Sequence, residues 1–194
     1  AVDTITGTSK NDTFNGLAAT TVSAATDTLT ASDTIVGGAG TDTLNITTSG
    51  VQTDVLSASL VSGIEILNIR ATDATPSTTT LAAGSISGLE QVNVINSQGT
   101  VAVTGLASGA TFGIKGNGAL VTGIVSAGWV AAATSGTVNV SNTIATSGTV
   151  TAAGTAITEM IINSSGTANT VGAVFLPATA TGLTVNATTG LTTG

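Results

Sequence analysis

The chain has 194 residues and a formal net charge of −7, and charged residues make up only 7% of it, against roughly 25% in an average soluble domain. It contains no His, no Cys and three basic residues, which excludes a Cys nucleophile, a soft-metal site and a basic surface for nucleic acid. No apolar run approaches the roughly 20 residues of a membrane span. A mean hydropathy of +0.50 argues against disorder, and the abundant Thr, Val and Ile residues favour short strands over long helices.

The N-terminal region holds two copies of one strand–turn–strand pattern, at 3–15 and 33–45, which align without a gap. The second copy reads Gly-Gly-Ala-Gly-Thr-Asp-Thr-Leu-Asn over 37–45 and fits the calcium-binding nonapeptide template G-G-x-G-x-D-x-U-x. Its glycines permit a tight turn that directs carbonyl oxygens inward, and its Asp supplies the charged oxygen that a hard cation prefers. Stacking of the copies would bring the two turns together, with Ca²⁺ between them.

The first turn departs from the template because Thr8 and Lys10 stand where the second turn has glycines. An ordinary Gly/Asp β-turn without metal remains the alternative for both turns. The candidate metal-binding residues come from the two turns and from the aspartates that begin the two copies; they are Asp42, Gly37, Gly38, Gly40, Asp12, Asn11, Gly7, Asp33 and Asp3.

Two regions of one elongated domain follow from the order of repeats. Residues 1–50 are predicted to form calcium-binding coils, interrupted by a Thr/Ala-rich inserted loop at 16–32. A second repeat begins at 61–69 and recurs at 86–94. Each copy ends in alternating apolar and polar residues, which predicts a strand. Because such a repeat is too small to bury its own apolar face, residues 51–194 are predicted to continue the same parallel β-solenoid.

The Glu and Asn residues of the second repeat have structural explanations. Glu65 and Glu90 precede the two predicted strands, where each is either solvated or accepts a backbone N–H at a turn; a further cation site is the alternative. Asn68, Asn93 and Asn163 occupy equivalent positions in the repeat and in a fainter third copy. Stacked coils would let these amides hydrogen-bond to one another as a ladder.

Beyond residue 100 the sequence predicts short strands separated by Gly- and Ser-containing turns. Trp129 stands alone among small residues and is predicted to fill the core or to anchor an interface. The chain lacks a Gly-x-Ser-x-Gly nucleophile turn and a phosphate-binding loop, and without His its general acid–base chemistry is limited to carboxylates. We therefore predict that it is not an enzyme. The strands are predicted at 101–103, 112–115, 120–125, 137–140, 149–152, 160–163, 172–176 and 183–186.

The order of these parts resembles a known family. Asp-Thr-Ile-Thr-Gly-Thr at 3–8, the Thr/Ala-rich insertion, Asp-Thr-Ile-Val-Gly-Gly-Ala-Gly-Thr-Asp at 33–42 and Ser-Gly-Ile-Glu-Ile-Leu-Asn-Ile at 62–69 resemble the start of the lattice-forming region of RTX-type bacterial S-layer proteins, as in Caulobacter. The resemblance is specific up to about residue 97 and compositional beyond it. Because the long nonapeptide arrays and the C-terminal secretion signal of that family are absent, the chain is expected to be a fragment.

The resemblance implies an extracellular protein of the bacterial cell surface, exported by type I secretion. It also implies a β-solenoid that assembles with itself into a two-dimensional lattice in the presence of Ca²⁺, and that contacts cell-surface polysaccharide through another region. Two other functions remain open: an adhesin or spacer β-helix of a large secreted surface protein, and an RTX-associated enzyme domain such as a polysaccharide lyase.

Overall fold

The computed structural model describes residues 3–19, 28–30, 32–53, 56, 61–73, 77–116, 124–142, 144–145 and 148–194. In these residues the fold is all-β, and every strand pairing is parallel. Successive coils return in the same direction and stack as a β-solenoid, which confirms the predicted fold class. No helix in the described ranges is long and apolar enough to cross a membrane.

The strands are short, and one 3₁₀ turn, Ala83–Ser85, lies among them. In chain order the strands are β1 (Thr4–Thr6), β2 (Thr13–Ala19), β3 (Thr34–Val36), β4 (Thr43–Ser49), β5 (Val61–Ser62), β6 (Ile66–Ala71), β7 (Thr78–Ala82), β8 (Gln91–Ile95), β9 (Thr100–Leu106), β10 (Thr111–Lys115), β11 (Val125–Trp129), β12 (Ser135–Ser141), β13 (Ile144–Ala145), β14 (Val150–Ala153), β15 (Glu159–Ser165), β16 (Asn169–Val171), β17 (Val174–Phe175), β18 (Gly182–Ala187) and β19 (Leu191–Thr193).

One long sheet runs the length of the solenoid. It contains β2, β4, β6, β8, β10, β12, β15 and β18 in that spatial order. A second wall consists of β7, β9, β11, β14 and β17, and two shorter sheets are formed by β1, β3 and β5 and by β13, β16 and β19. The two sequence repeats meet in the long sheet, where β4 pairs with β6, so 1–50 and 51–194 form one continuous stack over the described residues.

The alternation of side chains along the long sheet separates core from surface. In β4, Leu44 and Ile46 point inward and are buried, while the intervening Thr and Asn side chains point outward. Register then places one apolar residue from each coil in a row through the core: Leu44, Leu67, Val92, Phe112 and Val138. Burial of each such side chain stabilises the fold by roughly 1.5–3 kcal/mol, so the core is built coil by coil.

The inserted segment begins later than the predicted residue 16. Residues 16–19 belong to β2 because they pair in register with 46–49 of β4. At the other end of the insertion, the Thr28 and Leu29 amides each donate to the Leu17 carbonyl oxygen at 3.1 Å. The returning chain therefore covers part of the free edge of β2. The rest of the predicted loop, 20–27 and 31, lies outside the described residues.

Most predicted strands of the C-terminal half are confirmed, with two differences. The strand predicted at 120–125 starts at Val125 and runs to Trp129, and 120–123 fall outside the described residues. Strands β7, β13, β16 and β19 were not predicted, since they are short and carry no strong alternation. The predicted core position of Trp129 is confirmed: the ring is buried, and its Nε1–H donates to the Ala110 carbonyl oxygen at 3.0 Å.

Candidate metal centre

The two N-terminal turns are stacked, as the sequence alignment predicts. Thr4 pairs with Thr34 and Thr13 with Thr43, so the alignment of 3–15 with 33–45 is also the hydrogen-bonding register. Between these pairs, the Gly7 amide donates to the Val36 carbonyl oxygen at 2.8 Å. The two turns therefore meet backbone to backbone.

Close stacking explains why glycine occupies these turns. Gly38 and Gly40 have φ angles of +112° and +124°, which side-chain-bearing residues rarely adopt. Gly7 and Gly37 have ordinary φ angles, but a Cβ on either would collide with a carbonyl oxygen of the next coil, that of Gly37 or of Gly63. All four predicted glycines are thus required by backbone geometry, with or without a metal ion.

Asp42 is the least satisfied polar residue of the second turn. Its side chain is fully buried, and its Oδ1 accepts the Asp12 amide at 2.7 Å. Its Oδ2 is buried and has no hydrogen-bond partner among the described residues. A buried carboxylate oxygen without a partner loses about 1–3 kcal/mol or more relative to water. This oxygen is therefore the atom at which a cation would bring the largest gain.

Asp12, the equivalent residue of the first turn, is satisfied by protein groups. Its Oδ2 accepts the Thr8 amide at 2.6 Å and the Thr8 hydroxyl at 2.8 Å. Thr8 is the residue that replaces a template glycine, so the departure from the template supplies hydrogen bonds to the carboxylate. The neighbouring Asn11 uses its Oδ1 to accept the Thr41 amide at 2.9 Å. The first turn is therefore closed by hydrogen bonds and has less need of a metal ion.

Asp33 and Asp3 connect the first two coils at the start of β1 and β3. The Asp33 Oδ2 accepts the Thr30 amide at 2.7 Å, and its Oδ1 accepts the Asp3 amide at 3.0 Å. The Thr30 amide, helped by that of Asp3, holds the pKa of Asp33 below its ordinary value, although burial opposes this shift. Each Asp33 oxygen already serves a backbone amide, and Asp3 takes part through its own amide. The described contacts of this pair are structural.

The space beside Gly37 fits an oxygen-ligated hard cation. The Asp42 Oδ2 lies 2.6 Å from the position of a Cβ on Gly37, and the Gly63 carbonyl oxygen approaches the same position still more closely. Hard cations such as Ca²⁺ take six to eight oxygen ligands, including backbone carbonyls and water. The described residues contain no group of three or more acidic side chains suited to a metal. A cation here would therefore have one carboxylate ligand, with carbonyl oxygens and water completing its shell.

This position differs from the one expected from the sequence. The unpartnered oxygen and the Gly63 carbonyl lie between the second and third coils, and not between the two nonapeptide-like turns. The third coil also supplies a carboxylate, because the Glu65 Oε2 accepts the Asp42 amide at 2.7 Å. Glu65 thus has the predicted role of accepting a backbone N–H at a turn. Glu90, one coil later, is exposed.

These acidic residues form a row along one corner of the solenoid. Asp12, Asp42, Glu65 and Glu90 each precede a strand of the long sheet, and the residues that follow them pair in register. In the next coil the equivalent residue is Ala110, so the row changes from acidic to apolar. The Asp42–Glu65 and Asp12–Thr8 contacts were not predicted. A common position directly before each strand was the sequence signal that could have revealed the row.

The predicted Asn ladder is present on the outer face of the long sheet. The Nδ2 of each Asn donates to the Oδ1 of the Asn one coil earlier, at 2.8–3.0 Å. The ladder is longer than the three residues predicted. Its members are Asn15, Asn45, Asn68 and Asn93 in one block, and Asn139, Asn163 and Asn186 in a second block.

Gly113 separates the two blocks of the ladder. It lies in register between Asn93 and Asn139, and a Cβ at this position would collide with the Asn93 Oδ1. That oxygen instead accepts the Gln91 Nε2–H at 2.7 Å. The missing side chain at Gly113 therefore gives Asn93 the room it occupies, and Gln91 replaces the absent ladder donor.

Comparison of the chain with models of protein families, with curated proteins and with solved structures found no significant match in any of the three.

Proposed function

We propose that the chain is a structural β-solenoid of an extracellular bacterial surface layer, which associates with itself in a calcium-dependent way. The observation that carries this proposal is the fully buried Asp42, whose Oδ2 lacks a partner beside the Gly63 carbonyl. A cation at this position would join the second and third coils and would relieve a buried charge. Calcium binding would then be coupled to folding of the N-terminal coils.

A structural role, as opposed to a catalytic one, is supported by the use of the polar side chains. The carboxylates of Asp12, Asp33, Asp42 and Glu65 accept backbone amides that hold coils or turns in place. The outward-facing Asn residues are likewise engaged with one another along the stack. These groups stabilise the solenoid and leave few side chains available for chemistry.

Self-association is supported by the composition of the surface. Long charged side chains lose up to about 2 kcal/mol of conformational entropy each when an interface orders them. The chain has only three Lys and Arg residues, and most outward positions of the long sheet carry Thr, Ser or Asn. Two such surfaces can pack with little entropic cost. The extracellular location and type I secretion rest on the sequence resemblance described above.

A calcium titration of three proteins tests the proposal. Asp42→Asn removes the charge at the unpartnered oxygen, and Asp12→Asn is the matched control in the hydrogen-bonded turn. Thermal unfolding can be followed by fluorescence of the sole Trp residue, since the chain has no Tyr. Calcium at about 100 times its Kd adds about 2.7 kcal/mol of stability, which corresponds to a rise in Tm of about 5–10 °C for a chain of this size.

We expect calcium to raise the Tm of the wild type and of Asp12→Asn, but not that of Asp42→Asn. Light scattering and electron microscopy of the same samples should show sheets in calcium and dispersed protein in EDTA. An unchanged wild-type Tm would refute the calcium site. A calcium response with isolated rods instead of sheets would favour the adhesin or spacer function.

A further inference from the structure

The C-terminal end of the solenoid is an open apolar surface. Leu183 and Val185 of β18 pair in register with Met160 and Ile162 of β15, which are buried. The β18 side chains point to the same interior but are 52% and 49% exposed. They border an apolar cleft of about 380 Å³, whose other walls include Val174, Leu176 and Leu191. The end thus exposes side chains of the kind that the rest of the solenoid buries.

The N-terminal end of the same sheet is partly covered. The Leu17 carbonyl oxygen of β2 accepts two amides, from Thr28 and Leu29, and the Leu17 amide donates to the Thr28 hydroxyl at 2.9 Å. Leu29 is buried and fills the space beside Gly16 where a side chain would lie. A second copy therefore cannot extend the sheet along the whole of β2, which disfavours head-to-tail stacking.

The free edge of β18 has a defined hydrogen-bonding pattern. The Gly182 amide donates to Thr158 and the Thr188 amide donates to Ser164, both of which are neighbours in the preceding coil. Because successive residues of a strand direct their backbone groups to opposite sides, the N–H and C=O groups of Leu183, Val185 and Ala187 face the free edge. The edge carries neither Lys nor Pro, the residues that commonly protect exposed edges.

This edge is complementary to itself. If two β18 strands pair antiparallel about a twofold axis at Val185, Val185 lies opposite its own copy and Leu183 lies opposite Ala187. Apolar side chains then meet on the inner face, and Thr184 meets Asn186 on the outer face. Beyond Lys115 the chain carries one charged residue, Glu159, so two copies meet with little electrostatic repulsion.

We propose that β18 pairs with β18 of a second copy and joins two solenoids at their C-terminal ends. The choice of partner rests on the self-association proposed above, but the contact contains no acidic row and requires no calcium. Its twofold symmetry makes a closed pair, in contrast to the open filament that head-to-tail contacts produce.

Disulfide cross-linking gives a direct test, because the chain has no Cys. Residues opposite one another in a hydrogen-bonded antiparallel pair have Cα atoms about 5.5 Å apart, within the range that a disulfide bridges. Val185→Cys should therefore form a covalent dimer on mild oxidation in EDTA. The control is Ile5→Cys, which places an exposed thiol at the N-terminal end and should stay monomeric. Equal cross-linking of the two variants, or a mixed dimer formed preferentially between them, would overturn the proposal.

Sedimentation in EDTA provides an independent measurement without thiols. The wild type should dimerise with increasing concentration, and Leu183→Lys should weaken the dimer by about tenfold or more. Val51→Lys changes a side chain that is 58% exposed in the N-terminal half and should leave the dimer unchanged. A wild type that stays monomeric at all concentrations would refute the contact. Loss of the calcium response with dimerisation intact would refute only the calcium-dependent part of the proposed function.

Discussion

The Asn ladder predicts different costs for chemically identical substitutions. Asn68 takes part in two ladder bonds: its Nδ2 donates to the Asn45 Oδ1, and its Oδ1 accepts the Asn93 Nδ2–H, both at 2.8 Å. Asn186, at the last coil, makes a single ladder bond among the described residues, to Asn163 at 3.0 Å. Replacement of either residue by Ala therefore removes the same amide from very different surroundings.

The burial of the neighbours determines the expected magnitude. Asn93 is fully buried, so Asn68→Ala leaves its Nδ2–H without water, at a cost of about 1–3 kcal/mol. Asn45 is partly exposed, and loss of its bond costs about 0.5–1 kcal/mol because water replaces the donor. We expect Asn68→Ala to lower the free energy of unfolding by about 2–3 kcal/mol. Asn186→Ala should lower it by less than about 1 kcal/mol, because its surroundings are exposed.

Urea unfolding in EDTA, with all proteins measured at one concentration, gives both values. The difference between the two variants should appear in the midpoint, with a similar dependence on denaturant. Equal destabilisation by the two substitutions would show that the ladder contributes through the sheet alone. A larger effect for Asn186→Ala would contradict the assignment of Asn93 as the buried member.

Two further predictions concern packing and pH. Gly113→Ala should cost about 1–3 kcal/mol because its methyl group displaces the Asn93 Oδ1; Gly109→Ala, in open space at φ +86°, should cost about 1–2 kcal/mol from its left-handed backbone alone, as urea unfolding would show. Asp33 has a folded-state pKa below its ordinary value, so its stabilisation is present above pH about 4 and is lost as the pH falls through the folded pKa. The difference in Tm between wild type and Asp33→Asn should therefore shrink from pH 7 to pH 3, and a constant difference would contradict the role of the Thr30 amide.

The fold could be predicted from sequence wherever repetition coincided with register. The 3–15 and 33–45 copies align as they pair in the structure, because coils of equal length place equivalent residues side by side. The same logic revealed the ladder positions Asn68 and Asn93. It missed Asn139 and Asn186, because the coils that contain them carry weaker copies of the repeat.

The candidate site could be predicted only as a set of residue types. The nonapeptide template selected Asp42 and Asp12 alike, and the structure separates them by their hydrogen bonds. Thr8 occupies the oxygen of Asp12, whereas the equivalent oxygen of Asp42 has no described partner. Sequence spacing could not reveal this difference, since it depends on the rotamer of a hydroxyl-bearing side chain and on the conformation of Gly38.

The sequence alone determined that this chain forms stacked parallel coils, because short repeats of β-branched residues cannot bury their apolar faces in isolation. It also located the turns, since left-handed backbone and close stacking admit little besides glycine. Only the tertiary structure decided which carboxylate lacks a partner and which end of the solenoid is open. Both depend on what the neighbouring coil contributes: Glu65 and Gly63 come from the coil after Asp42, and Leu29 returns from an insertion to cover one end of the sheet. Contacts between coils 20 to 30 residues apart are fixed by three-dimensional packing, and no local pattern records them.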